Sequence, residues 1–317
     1  MKRMIAIILA AVLGAAGLVS CAPSGKADKG LSVVTTIFPE YEWVKNVLGD
    51  KAEDTDVTLL LDSGVDLHSY QPTADDIIKI SSCDVFIYVG GESDKWVDDA
   101  LGEAANKDMT VLGLMDVLGD HIREEEIVEG MQVEDEGEAE YDEHVWLSLK
   151  NAALCVGAIG DALAKADGAN AETYKANAEA YIAKLNELDG RYAAAVEASP
   201  KKTLLFGDRF PFRYMTDDYG LGYYAAFVGC SAESEASFET VAFLASKVDE
   251  LGLSTVLTLE GTDHRIAETV VSATAGKDAR ILSMDSMQSS TMADIKAGVT
   301  YLSIMEKNLG VLTDALK

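Results

Sequence analysis

The stretch NAETYKANAEAYIAKLNELDGRYAAAVEAS, residues 170–199, sets the strongest limit on how this chain can fold. Tyr174, Ala178, Tyr181, Leu185, Leu188, Tyr192 and Val196 recur at three- and four-residue steps, which puts them along one face of a single helix. Gly190 weakens that helix locally and Pro200 marks its end. The pattern predicts one helix over 169–199, about eight turns long. A helix of this length joining two lobes stiffens the connection, where short strands or a glycine-rich linker would suit wide hinge closure.

Strand-like and helix-like segments alternate on both sides of it. Before it, LSVVTTIF is β-branched and aromatic, and Pro39 opens an amphipathic helix that Gly49 closes. DVTLLL, DVFIYVG and MTVLGL follow as strands, with helices near 73–80 and 94–105. After it, KTLLFG, GYYAAFV, STVLTLE and ARILSM read as strands, with helices near 209–218, 237–251 and 263–274. The predicted fold class is α/β: two lobes with mainly parallel sheets flanked by helices, over 31–168 and 200–317, joined by one long helix. One segment breaks the rhythm. Residues 120–143, DHIREEEIVEGMQVEDEGEAEYDE, are dense in acids with no clear period, and read as a solvated loop.

The first residues, MKRMIAIILAAVLGAAGLVSC, carry Lys2 and Arg3, then an apolar run ending in LVSC. This order is that of a bacterial lipoprotein signal over 1–21, with Cys21 as the lipid attachment point and 22–30 as a flexible tether. The apolar run is short for a bilayer-spanning helix. The expected location is therefore extracytoplasmic, lipid-anchored at the cell membrane. The charge balance, 26 Lys and Arg against 54 Asp and Glu, leaves a formal net charge of -28, which opposes binding to phosphate backbones and argues against nucleic acid as a partner. Cys83, Cys155 and Cys230 remain once Cys21 is set aside. None has the spacing of a zinc knuckle or redox pair, and all three read as plain core or loop thiols.

In open α/β sheets ligands bind beyond the carboxyl ends of the strands. His68, in GVDLHSYQPTADDI, and His144, in YDEHVWLSLKNA, fall in such places, as do Asp208 after TLLFG and Asp285 after ARILSM. Each is also an ordinary place for a cap or turn residue. If the lobes face each other, two imidazoles and two carboxylates converge, a competent set for a first-row divalent metal. His264, beside Glu260 and Asp263, is a further candidate.

GVDLHSYQPTADDI, DEHVWLSLKNA and GDRFPFRYMTDDYGL resemble three motifs of the metal-specific solute-binding lipoproteins of bacterial ABC importers, the zinc and manganese cluster; VVTTIFPEYEWVKNVLGD and TLEGTDHRIAETV also fit. The resemblance runs from about Leu31 to the carboxy terminus. It implies two α/β lobes bridged by a long helix, with His68, His144, Asp208 and Asp285 as metal ligands. Asp208 stands where many zinc members have histidine and manganese members glutamate. Leu67 and Glu143 replace prolines of the family pattern, and neither change removes a donor atom. Oxygen donors at 208 and 285 favour manganese, whereas a contribution from His264 would favour zinc. The implied function is a monomeric binding protein that carries Zn2+ or Mn2+ to a membrane permease. A secreted metallohydrolase is the rival reading, weakened by the lack of HExxH and similar motifs; a surface adhesin is a further one.

Overall fold

The computed structural model describes residues 30–132, 140–231 and 235–317. The leader, Cys21 and the middle of the acidic segment lie outside these residues. β1 (Ser32–Thr35) leads into α1 (Phe38–Leu48), then β2 (Asp56–Leu59), α2 (Ala74–Ser82), β3 (Val85–Tyr88), α3 (Trp96–Gly102), β4 (Thr110–Gly113) and α4 (Leu114–Leu118). α5 (Leu149–Ala166) and the long α6 (Ala171–Ala198) follow. The second half contains β5 (Thr203–Phe210), α7 (Arg213–Tyr219), β6 (Gly222–Val228), α8 (Phe238–Leu251), β7 (Thr255–Leu259), α9 (Arg265–Ala273), β8 (Arg280–Met284), α10 (Met292–Lys296) and α11 (Tyr301–Ala315).

The strands form two four-stranded sheets, ordered β2-β1-β3-β4 and β6-β5-β7-β8, and each pairing is parallel. The expected α/β fold with a long helix is therefore found. The buried face of α6 is Tyr174, Ala178, Tyr181, Leu185, Leu188, Tyr192 and Val196, the residues that the helical period selects, and Gly190 does not interrupt the helix. Cys83 and Cys155 are buried, as read from the sequence.

Two departures matter for the site. β5 continues to Phe210, so the segment 209–218 begins as strand and its helix starts only at Arg213. In that extension the register against β6 shifts: Phe206 pairs with Ala225 but Arg209 pairs with Phe227. A bulge of this kind adds a residue to one strand and re-aims the side chains beyond it. Gly207 makes the bulge compatible with α9, because a Cβ there would lie 2.6 Å from the Ala267 Cα. The described ends of the acidic segment are also tied to the rest of the fold. Glu124 bridges Tyr141, the amide of Gln132 donates to the Ala226 carbonyl, and Asp142 and Glu143 are buried.

One core runs from the first sheet through α1, α5 and α6 to α11 and the residues Leu257 and Met284 of the second sheet. A smaller one joins Leu205 and Phe227 to α8 and α9 through Leu244, Val248 and Val270. Polar contacts tie the two halves along their seam. The Trp146 indole donates to the Ser286 carbonyl (2.9 Å), the Tyr301 hydroxyl to the Trp146 carbonyl (2.6 Å), and the Met292 amide to the Asp62 carbonyl (3.0 Å).

Beneath the first sheet's carboxyl edge, the fully buried Glu40 accepts from the amides of Thr36 and Ile37 through one oxygen and leaves the other unpartnered. Burial, then the nearby Asp94, push its carboxyl up to about 8; burial, with Glu143 adding, pushes Asp94 to about 7. The folded protein thus holds protons that the unfolded chain gives up near pH 4 to 5. Their stabilisation is full below the unfolded values and is lost as pH rises toward 8, with a slope of at most about 1.4 kcal/mol per pH unit per group. In chelator-treated protein the melting temperature should fall between pH 5 and pH 8. Glu40→Gln, which keeps the acceptor, should shrink that fall by about 5 °C; an unchanged pH profile would show that Glu40 is ionised in the fold.

Candidate metal centre

His68 lies on a 3-10 turn, Leu67–Ser69, in the connection after β2, and Asp66 caps that turn by accepting from the His68 amide at 3.0 Å. His144 lies just before a second 3-10 turn, Val145–Leu147, and is fully buried. Cys230 follows β6 in a loop whose amide donates to Glu125 Oε1 at 2.9 Å. These three residues come from connections far apart in sequence, yet their ligating atoms all lie within 4.8 Å of one another.

Glycine makes the last approach feasible. A Cβ on Gly229 would stand 2.9 Å from the Phe210 carbonyl oxygen and 3.0 and 3.1 Å from the His144 ring, so any side chain there would push the Cys230 loop away. Gly91, at φ 84°, plays a similar part behind His68: a Cβ would lie 2.4 Å from Glu143 Oε1.

The imidazoles are oriented from behind. His144 Nδ1 donates to Asp142 Oδ1 at 2.8 Å. His68 Nδ1 lies 2.9 Å from Ser93 Oγ and 3.3 Å from Glu143 Oε2, and the Ser93 amide holds the other Glu143 oxygen at 2.8 Å. Burial pushes the Glu143 carboxyl up, but His68 and Ser93 outweigh it and hold it below the usual range, so it is an ionised acceptor. With Asp142 beside its Nδ1, the His144 ring turns Nε2 toward His68 Nε2, 3.2 Å away. A tetrahedral metal with bonds of 2.0–2.1 Å to imidazole nitrogen separates two such nitrogens by about 3.3 Å. The site therefore fits a divalent metal, and the carboxylate–histidine pairs behind it are the outer contacts that such sites use.

The third donor is sulfur. Burial, followed by Glu125, Asp142 and Glu143, pushes the Cys230 thiol up, so metal binding must displace its proton. Zinc–sulfur and zinc–nitrogen bond lengths imply an N···S separation of about 3.6 Å, which leaves the thiol at most about 1 Å to close.

The other residues singled out from the sequence do not join this cluster. Asp208 lies inside β5, and both its oxygens are engaged: one accepts from the Arg209 amide (2.9 Å), the other from the Leu259 amide (3.1 Å) and Thr262 Oγ1 (3.0 Å). Its work is to tie β5 to the end of β7. Asp285 accepts from the Met287 amide, and Glu260 from the amide and hydroxyl of Ser286. Burial raises both carboxyls, and Asp285 adds to the effect on Glu260. His264, in the left-handed conformation at φ 58°, precedes α9 and stands 3.3 Å from Thr262 Oγ1. It lines a cleft of about 380 Å3 shared with Ser69, Asp208 and Arg209. Among the described residues, the cluster that could hold a metal thus offers two nitrogens and a sulfur, where the sequence led us to expect an oxygen-rich set. Cys230 was legible by the rule that picked out the aspartates, since it too follows a strand.

The family model for the zinc-uptake complex component A, periplasmic (ZnuA), matches residues 33–315. The chain belongs to the ZnuA family. It is 31% identical over 321 residues to the high-affinity zinc uptake system protein ZnuA of Bacillus subtilis, covering 98% of this chain and 96% of that one. It is 35% identical over 306 residues to the zinc-binding lipoprotein AdcA of Streptococcus pneumoniae, covering 96% of this chain; the chain spans 60% of that relative's length, and 56% of the AdcA of Streptococcus pyogenes. The crystal structure of the Zn(II)-bound ZnuA-like domain of pneumococcal AdcA superposes with a TM-score of 0.71 at 31% identity, over 90% of this chain and 99% of that domain.

For this ZnuA-family chain the carboxylates behind the imidazoles carry a prediction. Asp142 raises the His144 pKa against the effect of burial, which works the other way, while Glu125 helps and Arg209 opposes. Protons therefore compete with metal at His144 above the ordinary histidine range, and affinity is lost as pH falls. Asp142→Asn removes both the orientation and the charge, and should weaken metal binding about 10- to 100-fold at pH 7.5. It should also move the loss of affinity to lower pH, as read from competition titrations across pH 5.5 to 8.

Proposed function

We propose that the chain captures Zn2+ outside the cytoplasm and hands it to the membrane permease of an ABC importer, tethered by a lipid on Cys21. The observation that carries this reading is the pair of imidazole Nε2 atoms 3.2 Å apart, with the Cys230 thiol within 4.8 Å. A set of two imidazoles and a thiolate is borderline to soft and suits zinc, whereas manganese prefers carboxylate, carbonyl and water oxygens. The names of the relatives, zinc-binding AdcA and the zinc uptake protein ZnuA, support the same ion. Zn2+ is the cargo, and loading releases the Cys230 proton.

Three protein donors leave one tetrahedral position for water, an arrangement that hydrolases also use. Hydrolysis would need a base beside that water. Asp142 and Glu143, the carboxylates nearest the imidazoles, are spent on the Nδ1 atoms, on the far side of each ring from the metal. Capture and release follow instead, with release driven by the permease as it parts the two lobes and draws Cys230 away from the histidines.

Purified protein should bind one Zn2+ per chain, and His68→Ala or His144→Ala should each weaken binding by more than about 100-fold, since losing a ligand costs more than losing an outer contact. Co2+-loaded protein should show a sulfur-to-metal charge-transfer band in the near ultraviolet that Cys230→Ser abolishes. Millimolar Mn2+ should leave bound Zn2+ in place. Equal zinc binding by wild type and the double histidine variant would end the proposal; a Co2+ spectrum indifferent to Cys230 would remove the thiolate from it.

A further inference from the structure

Arg209 is the point where the two halves of the site meet. Its side chain is 20% exposed, and among the described residues its guanidinium has two engagements. Nη2 donates to Asp66 Oδ2 at 2.8 Å, and Asp66, through its other oxygen, caps the turn that presents His68. Nη1 donates to the Ser231 carbonyl at 3.3 Å, in the residue directly after Cys230. One planar group thus holds the turn bearing one ligand and the loop bearing another, across the cleft between the lobes. Arginine suits this geometry, with several donors in a rigid fork, where lysine offers a single point charge. The β5 bulge delivers it there: the extra residue between Phe206 and Arg209 re-aims the side chain, and Asp208 pins the Arg209 amide at 2.9 Å.

We infer that Arg209 is a positioning residue, a latch whose ion pair with Asp66 holds the lobes closed on the metal and sets how fast the metal leaves. This rests on the metal-capture reading above. The latch touches neither donor atoms nor metal, so it acts on retention through the placement of His68 and Cys230. Parting the lobes must break the Arg209–Asp66 pair, which makes that pair one of the contacts a permease has to overcome to unload the protein.

The test is a kinetic double-mutant cycle on zinc-loaded protein, with dissociation followed by transfer of Zn2+ to an excess of a chromogenic chelator. Arg209→Gln and Asp66→Asn should each speed dissociation by about 10- to 100-fold, with association changed less than about threefold. The double variant should be no faster than the faster single one, because both break the same contact. Arg209→Lys should fall between wild type and Arg209→Gln. The sulfur-to-cobalt band should persist in all of them, because the ligands are unchanged; a residue that merely stabilised the fold would lower the melting temperature without this split between dissociation and association. Dissociation within about twofold of wild type in Arg209→Gln, or in Arg209→Lys and Asp66→Asn should the glutamine variant not fold, overturns the latch, as do single effects that multiply in the double variant. Failure of wild type to bind Zn2+ at all would instead overturn the capture reading.

Discussion

Two imidazole nitrogens held 3.2 Å apart impose the central requirement on this molecule. Such an approach has to be enforced from behind, and it suits a positive centre in front. The enforcement comes from Asp142 and Glu143, adjacent in sequence, which reach the Nδ1 atoms of two different histidines. These carboxylates are then held in turn: Glu143 by the Ser93 amide and the close packing of Gly91, and the Asp142 backbone by the Tyr214 hydroxyl at 2.7 Å. The short segment from Asp142 to His144 thereby contributes one imidazole of the cluster and the carboxylates behind both.

The fold serves this requirement by placing connections from both sheets at one cleft and then limiting how the halves can move. α6, the continuous core and the seam through Trp146, Ser286 and Tyr301 fix one side of the molecule. Across the cleft the links are polar and narrower, among them the Arg209 guanidinium. Under the proposed function, a tilt about that side would part Cys230 from the histidines, and metal affinity would fall with it, since a metal needs all its donors within bonding distance.

Much of this was legible in the sequence. The helical period picked out the buried face of α6 residue by residue, and β-branched runs located the eight strands of the two sheets, because both signals depend on local spacing alone. His68 and His144 stood out through their motifs. What escaped was non-local. Cys230 was set aside because an odd number of cysteines without CxxC spacing suggests leftover thiols, a rule that ignores partners contributed by distant loops. Asp208 was expected at a strand end, but the strand runs on through Phe210, and an aspartate inside it spends its oxygens on backbone amides. Nothing in the sequence marks the bulge that turns Arg209 toward the cleft, because a bulge belongs to the pairing of two strands and not to either one.

The acidic surroundings of Cys230 have a consequence for survival in oxidising surroundings. Thiolates, not thiols, attack disulfides and peroxides. Burial and three nearby carboxylates keep this sulfur protonated when no metal is present, so the vacant protein presents a poor nucleophile to mixed-disulfide formation. An exposed thiol of ordinary pKa is partly thiolate and open to such attack; here burial and the protein's own negative charge serve as the antioxidant.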